Sequence, residues 1–428
     1  MTSERAGVVD DLLTAVAKDL FAKTPWPTPE DEPWRRTDLR RLLPKGLLDR
    51  SAQAPPADPA EIVDRHVPLL PEQFAARVIT ERGIPVAIVI SPQAGEAGLS
   101  IEWCAPADLP PSLETAARAE LDRSPDRITS WHWRDFPGSL VVHASRNARI
   151  ENPVLVEERL IASDPALFLV SAPHLHVEVE QGAQLTVVWS LEGAPMTDES
   201  VTPIVNSALT ASAAPNSHLN ITLRQNLGDR VVLFHHDILS VQRDAHIGFI
   251  ESHLGGAMVK TRARSILAGE GADVRLNGIY IAGEKRHMDI GTLQEHRAAR
   301  ANSNALYKGA VRSGGRSVFQ GLIEVAPKAV KTDAYLTNNN LILGDDARSD
   351  SLPQLDILTD DVKCSHGSTT GKLDEGQIFY LRSRGFSPGE AKRELTRAFL
   401  ASVIDGAPGA VSEILSADLD EALSYGEN

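Results

Sequence analysis

Cysteine is nearly absent from this sequence: Cys104 and Cys364 are the only two in 428 residues. So few, so far apart, exclude a disulfide framework and a structural zinc site built on repeated thiolate pairs. A reducing, cytoplasmic compartment is the expectation. Aromatic residues are scarce at 5%, fewer than the stacking platforms of a carbohydrate-binding groove need. Long apolar runs are missing too. The longest, Ile84 to Ile90 (IPVAIVI), contains a proline and falls far short of the roughly 20 residues of a membrane span. The N-terminus shows early acids and no apolar segment ahead of a small-residue cleavage site, so neither a signal nor a transit peptide is read there. Lysine and arginine (43) are outnumbered by aspartate and glutamate (58), and the net charge of −15 disfavours non-specific binding to nucleic acid or anionic lipid. Proteins or cations are the expected partners.

What is present is a 42% hydrophobic content, enough for a large core in two or three domains or in one long solenoid with appendages. Val9, Leu13, Val16 and Leu20 share one helical face, so the spacing predicts an opening amphipathic helix over 8–21. Proline-rich, charged connections follow (TPWPTPEDEPWRRTDLRRLLPKG and SAQAPPADPAE), and from about 70 to 135 helical and extended signals mix. From about Val141 the texture turns to strands. In HLHVEVEQGAQLTVVWS, Leu175, Val177 and Val179 alternate, Gly182-Ala183 turns, and Leu185, Val187 and Trp189 alternate again. A polar or glycine corner, a small residue and an alternating run recur in this way, with markers Ala183, Ser217, Ala245, Ala272 and Ala347. The first steps are 217 − 183 = 34, 245 − 217 = 28 and 272 − 245 = 27. A loose repeat of all-strand units with no crossover helix points to a parallel β-helix. The rival is a two-sheet sandwich, whose hairpins would use more Asn-Gly or Asp-Gly turns than this chain has.

After Leu358 the pattern becomes helical. Asp374 caps a helix with Gln377 three residues on, Ile378, Phe379 and Leu381 give its apolar side, and Gly385 ends it. Ser387, Pro388 and Glu390 form a capping box that opens the next helix, with Ala391, Leu395, Ala398, Phe399 and Val403 on one face. Val411, Ile414, Leu415, Leu419, Ala422 and Leu423 mark a third. The expected organisation is a mixed N-terminal region (1–140), a β-helix (141–358) and a C-terminal helical region (359–428).

The chemistry is sparse. GSTTGKL (367–373) has three residues between its glycines and Leu373 after its lysine, so it fails as a phosphate loop, and no HExxH or GxGxxG motif is present. His174 and His176 share a strand face and are expected on its polar side. His235 and His236 point to opposite faces, and His253, His287 and His296 fall in strand or turn segments. Cys364-Ser365-His366 stands apart: in an extended segment the thiol and imidazole project together, half of a tetrahedral set suited to iron, zinc or cuprous ions. A Cys-His nucleophile pair and a plain polar turn are the alternatives at this point.

Residues 338–400 (NNNLILGDDARSDSLPQLDILTDDVKCSHGSTTGKLDEGQIFYLRSRGFSPGEAKRELTRAFL) closely resemble the C-terminal signature of the SufB/SufD family, the scaffold subunits of SUF iron–sulfur cluster assembly. NALYKGAV (304–311), RSVFQGLIEVAPKAVKTDAY (316–335) and EPWRRTDLRRL (32–42) are similar to the family as well. TNNNLIL lacks the cysteine that SufB carries in that segment, and the KCSHG string resembles the SufD branch. The resemblance implies a mainly β fold, a right-handed parallel β-helix flanked by an N-terminal α/β and a C-terminal helical region. It implies a non-catalytic scaffold that pairs with SufB and binds the ATPase SufC, which hydrolyses the ATP. No stably bound cofactor is implied, only transient iron or an Fe–S cluster shared with SufB at His366, with Cys364 beside it. Asn338, Asn339, Asn340 and Lys363 are the candidates for the SufB interface. Phe379, Tyr380, Arg382, Arg384, Phe386, Glu390 and Phe399 are those for SufC docking. A cytosolic homodimeric metal-binding scaffold and a β-helix polysaccharide lyase are the competing readings, and the isolated chain has the option of a homodimer.

Overall fold

The corner that recurs in the sequence recurs in space. In the computed structural model, which describes residues 12–53, 69–123, 126–160, 170–193 and 202–424, a residue of positive φ precedes six successive strands of one sheet: Gly182, Asn216, Asp244, Gly271, Arg300 and Lys331. Glycine adopts this conformation freely and Asn or Asp tolerates it. Arg300 and Lys331 are held there by the next rung, where their N–H groups donate to Val330 O (2.9 Å) and Asp361 O (2.6 Å). The following small residue (Ala183, Ser217, Ala245, Ala272, Ala301, Thr332) is fully buried. A bulky side chain has no room there.

From Val154 on, consecutive strands of this first sheet start between 27 residues (273 − 246) and 34 residues (218 − 184) apart, pairing in parallel and in register up to Lys363–Gly371. A second, facing sheet alternates with it along the chain and ends at Arg348–Ile357. The result is a parallel β-solenoid of about seven turns. Inward residues such as Leu219, Ile221, Phe249, Leu276, Leu233 and Leu239 fill the space between the sheets, each burial worth about 1.5–3 kcal/mol.

The solenoid is longer than 141–358 at both ends. Ala76–Glu81 pairs in parallel with Val154–Leu160 and antiparallel with Ile84–Ile90. The mixed signal over 70–135 arises because strands and the helices Pro111–Arg123 and Arg127–Asp135 alternate there. At the far end Lys363–Gly371 is a strand rather than part of the helical region. Its polar composition suits a rung covered on one side only.

Helices coat both outer faces. Leu400, Val403, Leu415 and Leu419 of the last two helices pack on Val188, Ile250, Ile279 and Ile281 of the first sheet. Arg224 clamps this contact through Asp418 and Glu192, and Arg312 donates to the carbonyls of Ala422 (3.0 Å) and Leu423 (3.2 Å). On the second sheet lie Pro111–Arg123 and Arg127–Asp135, and Leu12–Lys23 packs on these two helices through its buried face, Leu13, Ala17 and Phe21. The expected Val16 is exposed and Val9 lies outside the described residues. Phe21 sets the rotation, lying under the guanidinium groups of Arg127 (4.3 Å) and Arg134 (3.9 Å).

These N-terminal helices seal the strand face that carries His174 and His176. Both are buried rather than exposed, with His174 Nδ1 at 2.7 Å from Ser139 Oγ and His176 Nδ1 at 2.7 Å from Thr210 Oγ1. His132 Nδ1 donates to the Asn206 carbonyl (2.7 Å), and the rings of His174 and His236 flank it. Burial lowers His132 to about 3 and holds His174 and His236 well below the ordinary histidine value. Glu120, which accepts from Trp133 Nε1 (2.9 Å) and lies 3.3 Å from His236, is pushed up to about 7 by burial.

The signs differ. Neutral histidines contribute stability that is complete above their unfolded value of about 6.5 and lost as pH falls below it, whereas protonated Glu120 contributes most below about 4.5 and less as pH rises to 7. Three histidines outweigh one acid on the acid side. Acidification from pH 6.5 to 4 is therefore expected to release the N-terminal helices first. The emission of Trp131 and Trp133, both fully buried, should shift to the red before the β-sheet circular dichroism is lost. Simultaneous loss of both signals would contradict this.

Candidate functional site

At the open end of the solenoid, Lys363–Gly371 pairs on one side with Asp333–Ile342, in the register Ala334↔Cys364, Leu336↔His366, Asn338↔Ser368. Ala334 and Leu336 face the core, so Cys364 and His366 share the inward side of the last rung. Cys364 packs against the end of the core and is half-buried, while His366, Ser368, Thr369 and Thr370 are exposed. Burial and the nearby Asp333 push the Cys364 thiol up. A metal binding there must displace a proton. Among the described residues no group of three or more His, Cys, Asp or Glu is placed to hold a metal. Cys104 ends a strand at the other end of the second sheet and cannot join Cys364. The glycines of GSTTGKL, Gly367 and Gly371, lie within the extended strand, which rules out the phosphate-cradling turn as the sequence indicated.

The three consecutive asparagines do not act together. Asn338 and Asn340 turn inward and are fully buried: Asn338 Nδ2 donates to Tyr280 Oη (2.9 Å), Tyr280 Oη donates to Asn340 Oδ1 (2.7 Å), and Asn340 Nδ2 donates to Asn338 Oδ1 (2.7 Å). Strand alternation removes them from any outer interface. Asn339, which accepts from Thr369 Oγ1 (2.6 Å), and exposed Lys363 remain outside. Sequence reasoning missed Tyr335, Leu355 and Leu358, exposed apolar side chains in or just after the last two rungs. Of these, only Leu355 carried a signal, as a large apolar residue in the last strand of the second sheet.

The helix Glu375–Ser383 begins where Asp374 Oδ1 accepts from Gln377 N (2.8 Å) and is followed by Gly385 at φ 99°. Only Ile378 is buried; Phe379 (72% exposed), Tyr380 (56%) and Phe386 (40%) are open to solvent. Arg382 and Arg384 are exposed beside them, and Arg384 lies 5.2 Å from the Tyr380 ring. Two of the seven docking candidates have structural duties as well. Glu390 Oε2 accepts from Ser387 N (2.7 Å) in the capping box, and Phe399 is half-buried against the sheet with Lys308 Nζ 4.6 Å from its ring.

Residues 161–399 match the protein-family model for the SUF system FeS cluster assembly SufBD core domain. That span is more than half the chain, and the chain belongs to the SufBD family. The Escherichia coli iron–sulfur cluster assembly protein SufD is 36% identical over 233 residues, 54% of this chain and 53% of that protein. The chain is thus a SufD homologue whose match spans about half of SufD's length. A SufBD family protein of Mycobacterium bovis is 29% identical across 94% of this chain and 90% of its own length, and the chloroplastic protein ABCI7 of Arabidopsis thaliana is 26% identical across 91% and 81%. No helix among the described residues is long and apolar enough to cross a membrane.

Proposed function

We propose that this chain is the SufD-type scaffold of a SUF complex. It pairs with SufB through the open end of its β-helix, binds SufC through the helix pair 374–404, and leaves ATP hydrolysis to SufC. The observation that supports this best is the terminal rung, where a thiol and an imidazole share the inward side of an uncovered strand with no further ligand among the described residues. A second chain completes such a set, and Tyr335, Leu355 and Leu358 supply apolar area for it. Iron and sulfide are then cargo assembled between subunits, with His366 and Cys364 as this chain's contribution. The exposed Phe379, Tyr380 and Phe386 with their neighbouring arginines form the surface for SufC, aromatic and arginine side chains being the usual anchors of an interface.

The test is co-expression with the matching SufB and SufC and purification on this subunit. One SufB, one copy of this chain and two SufC is the expected composition; recovery of a homodimer alone would overturn the pairing. In that complex His366→Ala should leave composition unchanged and lower cluster yield, followed by visible absorption and iron content. The loss should reach about tenfold or more, since even outer-shell partners of a metal ligand are worth 10–100-fold. Normal cluster yield from the variant would remove His366 from the site.

A further inference from the structure

The bore of this β-helix is polar along one line. In the first sheet Gln225 registers with His253, His253 with Tyr280, Tyr280 with Gly309 and Gly309 with Asn340. The adjacent inward column holds Glu251, Gly278, Tyr307 and Asn338 in the same rungs. All have the strand parity of Leu219, Ile247, Leu276, Ala305 and Leu336, which line the core. The glycines accommodate the aromatics, since a methyl at Gly278 would overlap the Tyr307 ring and one at Gly309 the Tyr280 ring. From the facing sheet His235, Asp237, Thr261, Thr292 and Gln294 have the parity of Leu233, Val259 and Ile290 and turn inward as well. Asp237 lies near enough to feel the charges of Glu251 and His253, and the Tyr307 hydroxyl faces Glu251.

Part of this group is satisfied internally. His235 Nε2 pairs with Asp237 Oδ1 (2.8 Å), His253 Nε2 with Glu251 Oε2 (2.7 Å), and Tyr280 with Asn338 and Asn340. The remainder is not. Gln225 Nε2, Asp237 Oδ2, His253 Nδ1, Thr261 Oγ1, Thr292 Oγ1 and both amide atoms of Gln294 are buried without a protein partner. Native interiors leave few such atoms unpaired, and where several face one space the usual partner is water making two to four hydrogen bonds. The column also leads outward. Asn338 and Asn340 register with Ser368 and Thr370, which are exposed on the last rung.

We propose that the bore holds bound water that satisfies Gln225, Asp237, His253, Thr261, Thr292 and Gln294 on the side of the tyrosine–asparagine column away from the open end. The site is internal and its ligand is water, held by amides, hydroxyls and a carboxylate. This inference concerns the solenoid alone and stands whether or not the open end meets a partner.

The test is a high-resolution crystal structure of the full chain, with and without pressurised xenon. Ordered water within hydrogen-bonding distance of Asp237 Oδ2, Gln225 Nε2 and Thr261 Oγ1, with no xenon between the sheets, is the expected result, because apolar voids take xenon and hydrated ones do not. A bore without water density, xenon bound in it, or side chains re-paired so that these atoms satisfy one another would each overturn the proposal. Because the wild-type chain is used, failure of a variant to fold cannot obscure the outcome.

Discussion

Asp289→Ala is expected to destabilise the chain by about 3–5 kcal/mol, the usual cost of removing one partner from a buried ion pair. Asp289 is fully buried and accepts from Lys260 Nζ (2.7 Å), Gln320 Nε2 (3.1 Å) and Thr37 Oγ1. Burial opposes its charge, but Lys260 and these donors outweigh burial and hold the carboxyl below the ordinary aspartate range. Lys260 Nζ also donates to the Pro33 carbonyl (2.8 Å) and lies 4.9 Å from the Trp34 ring. Without the carboxylate, Lys260 becomes a buried unpaired cation, and the segment carrying Pro33, Trp34 and Thr37 loses its anchor on the second sheet. Urea unfolding should show the loss, and limited proteolysis should cut the 24–46 segment faster. Asp289→Asn keeps the shape and one acceptor, so its loss should be smaller. A change below about 1 kcal/mol for the alanine variant would mean that the pair does not hold the segment down.

Gly309→Ala is expected to destabilise the solenoid by about 1–3 kcal/mol or more. The new Cβ would overlap the Tyr280 ring and lie 2.6 Å from Asn340 Oδ1. Neither neighbour yields easily. Tyr280 is fully buried, and its hydroxyl is fixed by both Asn338 and Asn340. Gly371→Ala is the control, since nothing lies within 4 Å of a Cβ there. A shift in the urea midpoint of Gly309→Ala no larger than that of Gly371→Ala would show that the tyrosine column repacks freely.

The rungs were readable in the sequence because their determinants are local: a residue that accepts positive φ, a small residue, then strict alternation. The C-terminal helices were readable from their caps at Asp374 and Ser387. What sits inside and what covers the outside was harder to read. Alternation assigns a polar residue to solvent, yet Glu251, His253, Asn338 and Asn340 have the inward parity and are buried. Similarly, His174 and His176 lie on the outward face of their strand, but helices close to it in space, not in sequence, seal that face. Cys364 and His366 were readable as a same-face pair from their spacing alone. Their position at an open mouth depended on where the strands stop, which no local pattern reports.

The terminal rung also has a thermodynamic consequence. In a solenoid each rung contacts only its neighbours, so stability is close to a sum of rung and interface terms, and an end rung with one neighbour opens most easily. Arg348–Ile357 and Lys363–Gly371 are that rung. Their amides should exchange with solvent fastest among the strands. A subunit that covers this end adds a neighbour, converting the most labile rung into an interior one. Amide protection over 348–371 therefore reports association at the mouth, independently of whether any metal has been bound there.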